Sequence, residues 1–183
     1  MPFPEVLPFI SEAFQKEMVP FVLVGGFAVN QYKFSRRTID IDFMTTEEGY
    51  EKVRPSLEQK GYKEFRRTRL FVRLREEAVG AIDVDILFVD ENTLGGVLKE
   101  GKETEILGTR FIVPSLHHLI AMKLHAMKYD QGNRDFRDLR DIAELIKINR
   151  VDVTTNDFRN LCLKFGTEKV YQKILEAAKG WKN

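Results

Sequence analysis

The 183-residue chain carries 29 Lys and Arg against 28 Asp and Glu, a formal net charge of +1. No global field therefore draws it to nucleic acid or to an anionic membrane, and a nucleic-acid partner would need a local basic patch. With 43% hydrophobic and 31% charged residues, it has the composition of a soluble globular protein with enough apolar side chains for a core. Cys162 is the sole cysteine, which excludes an intrachain disulfide and a thiolate zinc cluster. The absence of a disulfide framework, a signal peptide and an apolar run of spanning length points to a cytoplasmic protein without a membrane partner.

The apolar spacing of Val6, Phe9, Ile10, Ala13 and Phe14 predicts a helix over 5–16, with Pro8 near its first turn. Phe21 to Val24 reads as a short buried strand that stops at Gly25-Gly26, and a short helix follows over 27–32. From Thr38 to Met44, Ile39, Ile41 and Phe43 alternate with Asp40 and Asp42, the period of a strand. Thr45 and Glu48 form a candidate capping box for a helix running to about Lys60, ended by Gly61. Strands are then expected over 62–66, 69–75 and 81–89. In the second, Leu70, Val72 and Leu74 share one face and Arg69, Phe71, Arg73 and Arg75 the other. In the third, Asp83 and Asp85 oppose Ile82, Val84 and Ile86.

Gly95-Gly96 and Gly101 punctuate a short helix-and-loop stretch, and 104–113 reads as a hairpin turning at Gly108. Beyond Pro114 the pattern is helical throughout, over 115–128, 134–148, 156–165 and 168–178. Strands with interleaved helices followed by helices alone predict an α+β fold, with a mixed central β-sheet flanked by helices. The core is expected over 1–113, and a C-terminal helical region over 114–183 packs on it.

Aspartates at i and i+2 on a strand point to the same side of the sheet. Charges that close are costly unless a cation lies between them, and a divalent ion with oxygen ligands suits such a pair. Asp40 with Asp42 and Asp83 with Asp85 supply two such pairs. Each pair alone also reads as the solvated face of an edge strand. Aspartate is a poor strand former, however, and two pairs inside strongly apolar strands favour a site. Gly25-Gly26 lies between a buried strand and a helix, where it is a simple tight turn or a close backbone approach to an anion. No Gly-Lys-Ser/Thr follows, so it is not a Walker loop, and the third glycine of a dinucleotide fingerprint is missing.

Val24-Gly25-Gly26, thirteen residues, then Asp40-Ile41-Asp42 resembles the signature of the polymerase-β-like nucleotidyltransferase superfamily. Arg37-Thr38-Ile39-Asp40-Ile41-Asp42 is similar to the form common in its bacterial minimal enzymes. Pro114-Ser115-Leu116, Lys123 and the run Arg137-Asp138-Leu139-Arg140-Asp141-Ile142 resemble the helical region of the AbiEii-like toxins of abortive-infection toxin–antitoxin pairs. The resemblance covers roughly residues 20–148 and implies a nucleotidyltransferase fold. It further implies that Gly25 and Gly26, with Arg37, Thr38 and Lys123, bind the nucleotide. Asp40, Asp42 and a third aspartate would hold two magnesium ions and act as the catalytic carboxylates. Asp85, before Ile86-Leu87-Phe88, fits the family text better than Asp83, which shares its face and could assist.

The reaction implied is transfer of a nucleoside monophosphate from a nucleoside triphosphate to an acceptor hydroxyl. The acceptor would be a tRNA 3′ end or a partner such as an antitoxin, with no DNA expected. A small-molecule acceptor of the antibiotic type is the enzymatic alternative, and a catalytically silent nucleotide-binding module is the non-enzymatic one. The stripe of Arg69, Arg73 and Arg75 reads either as a charged outer sheet face or as a contact for acceptor phosphates. Arg137, Asp138 and Asp141 read first as helix-stabilising ion pairs. His117, His118 and His125 lack chelate spacing and read as packing or surface residues.

Overall fold

The computed structural model describes residues 3–77, 82–129 and 134–180. Ala81, expected at the start of a strand, lies outside them. The chain forms two compact units. One takes the residues up to Ala28 and from Arg36 to Ser115; the other takes Val29–Ser35 and the residues from Leu116 onward.

In the first unit, α1 (Phe3–Lys16) buries Val6, Leu7, Ile10 and Phe14, as its spacing predicts. A five-stranded sheet is built from β1 (Val22–Leu23), β2 (Asp40–Thr45), β3 (Tyr62–Arg67), β4 (Phe71–Glu76) and β5 (Asp83–Phe88), in the order β1-β2-β5-β4-β3. β2 and β5 run parallel, and the other neighbours are antiparallel, so the sheet is mixed. Between β1 and β2 lies the short helix α2 (Gly25–Asn30); α3 (Glu47–Gln59) and α4 (Glu91–Glu100) follow β2 and β5. A separate hairpin pairs β6 (Lys102–Ile106) with β7 (Thr109–Val113). It turns at Leu107 and Gly108, both at positive φ, the geometry of a tight two-residue loop.

One face of β2, β5 and β4 is apolar and buried: Ile41, Phe43, Val84, Ile86, Val72 and Leu74. Phe43 packs with Phe14, Phe21 and Phe111, with ring centroids 4.6–6.3 Å apart across the cluster. The opposite face carries Asp40, Asp42, Asp83, Asp85, Arg73 and Arg75. Parallel strands are normally apolar on both sides, so this charged face departs from what packing alone would select.

Several local expectations are corrected. The cap of α3 is Thr46, not Thr45: Thr46 Oγ1 accepts from the Gly49 amide at 3.0 Å. Thr45 is still in β2, opposite Phe88, and its buried hydroxyl donates to the Pro20 carbonyl at 2.8 Å. The shift puts Gly49 at the reciprocal position, so no capping box forms, and Glu48 pairs with Lys52 at 2.8 Å instead. Strand β4 begins at Phe71 and leaves Leu70 65% exposed. Strand β2 begins at Asp40 and leaves Ile39 70% exposed. Gly95 and Gly96 do not break the chain; they lie inside α4, whose Asp90 cap accepts from the Thr93 amide at 2.8 Å.

The second unit holds α5 (Leu116–Tyr129), α6 (Arg134–Asn149), α7 (Asn156–Phe165) and α8 (Glu168–Lys179). Thr155 and Thr167 cap the last two, accepting from the amides of Phe158 and Val170. Leu119, Leu124, Ile142, Leu145, Leu161 and Ile174 are among its buried residues. Among the described residues, no helix is long and apolar enough to cross a membrane.

Cys162 is fully buried, and burial, then the Glu168 charge, pushes its thiol up to about 12. A disulfide reagent at pH 8 is expected to leave the native protein unlabelled and to label it fully in guanidinium; full labelling of the native protein would contradict this. A Cβ at Gly96 would meet nothing within 4 Å. Gly96→Ala, in the interior of α4, is therefore expected to stabilise the protein by about 1 kcal/mol, read as a higher Tm.

Candidate active site

The parallel register of β2 and β5 sets Asp42 opposite Asp85 and Asp40 opposite Asp83. Alternation turns all four side chains away from the core. Asp40, Asp42 and Asp85 each offer a carboxylate oxygen, and these atoms lie within 4.8 Å of one another. Asp85 is only 4% exposed, and its two companions are half-buried. Like charges at that spacing repel by about 3 kcal/mol per pair at an effective dielectric of about 20. Three carboxylates are hard oxygen donors, so the set fits magnesium or manganese rather than a thiophilic metal.

The start of α2 abuts this cluster. Gly25 has φ +62°, and a Cβ there would overlap the Asp42 carboxylate. A Cβ at Gly26 would overlap the Thr38 side chain. Both glycines are thus required for close approach, and they form the first residues of α2 rather than a turn before it. Thr38 Oγ1 donates to Asp40 Oδ1 at 2.9 Å and so orients that carboxylate. Gly25, Gly26, Thr38, Asp40, Asp42 and Asp85 therefore form one neighbourhood.

Beside it stand two arginines whose partners the sequence did not reveal. Arg73 grips Asp85 bidentately, Nε to Oδ1 at 2.7 Å and Nη2 to Oδ2 at 2.5 Å. Arg75 grips Asp83 in the same way, at 2.9 and 2.6 Å. The Arg75 guanidinium holds the Asp83 carboxyl below the usual carboxylate range. Asp85 foremost, then Asp83 and Asp40, hold the Arg73 guanidinium well above its ordinary value. Two arginines and two aspartates at matching two-residue spacing on consecutive strands were a usable signal, since an antiparallel hairpin can set them opposite one another. Of the expected arginine stripe, Arg69 is exposed and precedes β4.

Asp83 stands outside the three-carboxylate cluster. Arg37 is exposed, and its carbonyl accepts from Arg36 Nη1 at 3.2 Å. Lys123 belongs to the second unit, where its buried ammonium donates to Asp138 Oδ1 at 2.9 Å and Asp141 Oδ2 at 2.6 Å. Asp138 and Asp141 thus form a lysine clamp in addition to any pairing along their own helix. His125 packs on Tyr129, with centroids 4.6 Å apart, and His117 meets His118 edge to face.

Several solved structures share the fold. The lincosamide antibiotic adenylyltransferase LnuA, bound to lincomycin, is 22% identical with a TM-score of 0.54, covering 76% of this chain and 95% of that one. An antigenic nucleotidyltransferase-like protein from Paracoccidioides brasiliensis is 14% identical with a TM-score of 0.59, covering 98% and 91%. ANT(2")-Ia in complex with adenylyl-2"-tobramycin is 14% identical with a TM-score of 0.55, covering 97% and 98%. No curated protein matches by sequence. The family model described as the nucleotidyl transferase AbiEii toxin of type IV toxin–antitoxin systems matches residues 10–180. The chain therefore belongs to the AbiEii family and is a nucleotidyltransferase enzyme.

Proposed function

We propose that the protein is a metal-dependent enzyme that moves a nucleoside monophosphate from a nucleoside triphosphate to a hydroxyl of a macromolecular acceptor, a tRNA 3′ end or a partner protein, in the cytoplasm. The observation that carries this reading is the convergence of Asp40, Asp42 and Asp85 beside Gly25. A cluster of this cost is useful to an enzyme and needless in a module that only binds.

Asp40, Asp42 and Asp85 would hold two magnesium ions. When bound, the ions would supply Lewis acidity toward the acceptor hydroxyl and the leaving pyrophosphate. The chain's own residues do the positioning. Thr38 fixes the Asp40 carboxylate, and the missing side chains of Gly25 and Gly26 let Asp42 and Thr38 lie against the start of α2, where the triphosphate would bind. Arg37 offers an exposed cation near the same strand. An acceptor oxygen then attacks the α-phosphorus in line, the bond to the pyrophosphate oxygen breaks, and a general base takes the hydroxyl proton. Asp85, the most buried carboxylate of the three, is the candidate base.

The direct test offers magnesium, each labelled nucleoside triphosphate, and bulk tRNA or cell lysate as acceptor. Label is expected on one acceptor class, and Asp40→Ala is expected to lower the rate by a factor on the order of 10²–10³ or more. Tight nucleotide binding with no transfer to any acceptor would leave only the binding module, and label on a small molecule alone would move the protein to the antibiotic-modifying reading. A second test uses Gly25→Ala. Its Cβ would require a strained left-handed backbone and would displace Asp42. Transfer should fall about as far as in Asp40→Ala while the far-ultraviolet circular dichroism stays native; wild-type transfer by Gly25→Ala would remove Gly25 from the site.

A further inference from the structure

We infer that Arg73 is a built-in counter-cation of the carboxylate site: its guanidinium holds Asp85 in the metal-free protein and competes with a divalent ion for it. The inference rests on the metal-site reading above and adds a positioning residue that this reading does not contain.

Arg73 on β4 sits opposite Asp85 on β5, which sits opposite Asp42 on β2. One row across three strands therefore reads cation, anion, anion. The fork geometry of arginine matches a carboxylate, and here both Asp85 oxygens are taken, at 2.7 and 2.5 Å. The Arg73 side chain is 29% exposed and that of Asp85 is 6% exposed, so the pair is screened less than a surface ion pair. Removing Arg73 would leave three carboxylates within 4.8 Å of one another and no guanidinium on the most buried of them.

Two consequences follow for any ion entering the cluster. It must share or replace at least one of the two Arg73 hydrogen bonds on Asp85. It also meets a site one negative charge smaller than the carboxylates alone would make. Both lower the affinity for a bare ion. Before any ion arrives, the Arg73 guanidinium also stabilises the fold, because it offsets repulsion that the metal would otherwise have to relieve. Arg75 makes the same kind of pair with Asp83, an aspartate outside the cluster, and so provides a matched control on the same sheet face.

The experiment measures Mn2+ binding to the nucleotide-free protein, by the electron paramagnetic resonance signal of free Mn2+, together with Tm in chelator and in Mn2+. Arg73→Met is expected to bind Mn2+ on the order of tenfold more tightly than wild type, the direction set by removing a repelling charge next to the ion. It should also melt at a lower temperature in chelator and regain more on adding Mn2+. Arg73→Lys keeps the charge and should return the affinity most of the way to the wild-type value. Arg75→Met should leave it unchanged. In an Asp85→Asn background, Arg73→Met should no longer alter Mn2+ affinity.

Unchanged or weaker Mn2+ binding by a folded Arg73→Met protein would overturn the inference while leaving the metal site intact. If Arg73→Met fails to fold even in Mn2+, Arg73→Gln, which removes the charge and keeps a polar side chain, decides: tighter Mn2+ binding than wild type supports the inference, and unchanged or weaker binding overturns it. Absence of Mn2+ binding in wild type and variants alike would overturn the metal reading and this inference with it.

Discussion

The repulsion among Asp40, Asp42 and Asp85 is the constraint on which the rest of the first unit turns. Three carboxylates with oxygens inside 4.8 Å of one another repel. They are held there because β2 and β5 run parallel in register, and because Ile41, Phe43, Val84 and Ile86 anchor the reverse face in the core. A one-residue slip of either strand would drive aspartates into the aromatic cluster and expose isoleucine and phenylalanine. The apolar face therefore fixes the register, and the register aims the acids. Core stability is in this sense the force that holds the like charges together.

The periodic part of this arrangement was readable in advance. Alternation at Asp40-Ile41-Asp42 and Asp83-Val84-Asp85 gave both strands and both faces, and helical spacing placed α5 to α8 within a few residues of their observed ends. Element ends were less legible where a side chain has two competing partners. Thr45 and Thr46 are equally good caps on paper. The choice falls on Thr46 because the Thr45 hydroxyl is taken by the Pro20 carbonyl, twenty-five residues away. In the same way β1 is reduced to Val22 and Leu23, the pair that finds Met44 and Phe43 across the sheet. The arginine pairs escaped the sequence reading because they depend on which strand lies next to which. Arg73 and Asp85 become partners only once β4 is known to lie antiparallel beside β5.

That adjacency also changes what the basic stripe means. As a sequence feature, Arg73 and Arg75 could have been free cations waiting for acceptor phosphates. In the fold each is committed to an aspartate by two hydrogen bonds. Of the four carboxylates on the charged face, these two guanidinium groups offset those of Asp83 and Asp85 and not those of Asp40 and Asp42. An acceptor that binds through phosphates must rely on other cations or compete with Asp83 and Asp85. The near-zero net charge of the chain likewise gives no broad basic surface.

The two glycine pairs show how little a short motif says without its neighbours. Gly25-Gly26 and Gly95-Gly96 are identical as text, and both fall inside helices. A methyl group at Gly95 or Gly96 would project into open space, and those glycines merely weaken the helix that contains them. A methyl at Gly25 would fall on the Asp42 carboxylate, and one at Gly26 on Thr38, the residue that orients Asp40. The first pair is therefore part of the carboxylate site by exclusion of volume. Its missing side chains are what allow two metal-ligand candidates, Asp40 and Asp42, to lie against the start of α2. The spacing from Gly26 to Asp40 thus reflects a steric fit between the head of one helix and the charged face of one strand, which is why order and distance along the chain carried more information than either motif alone.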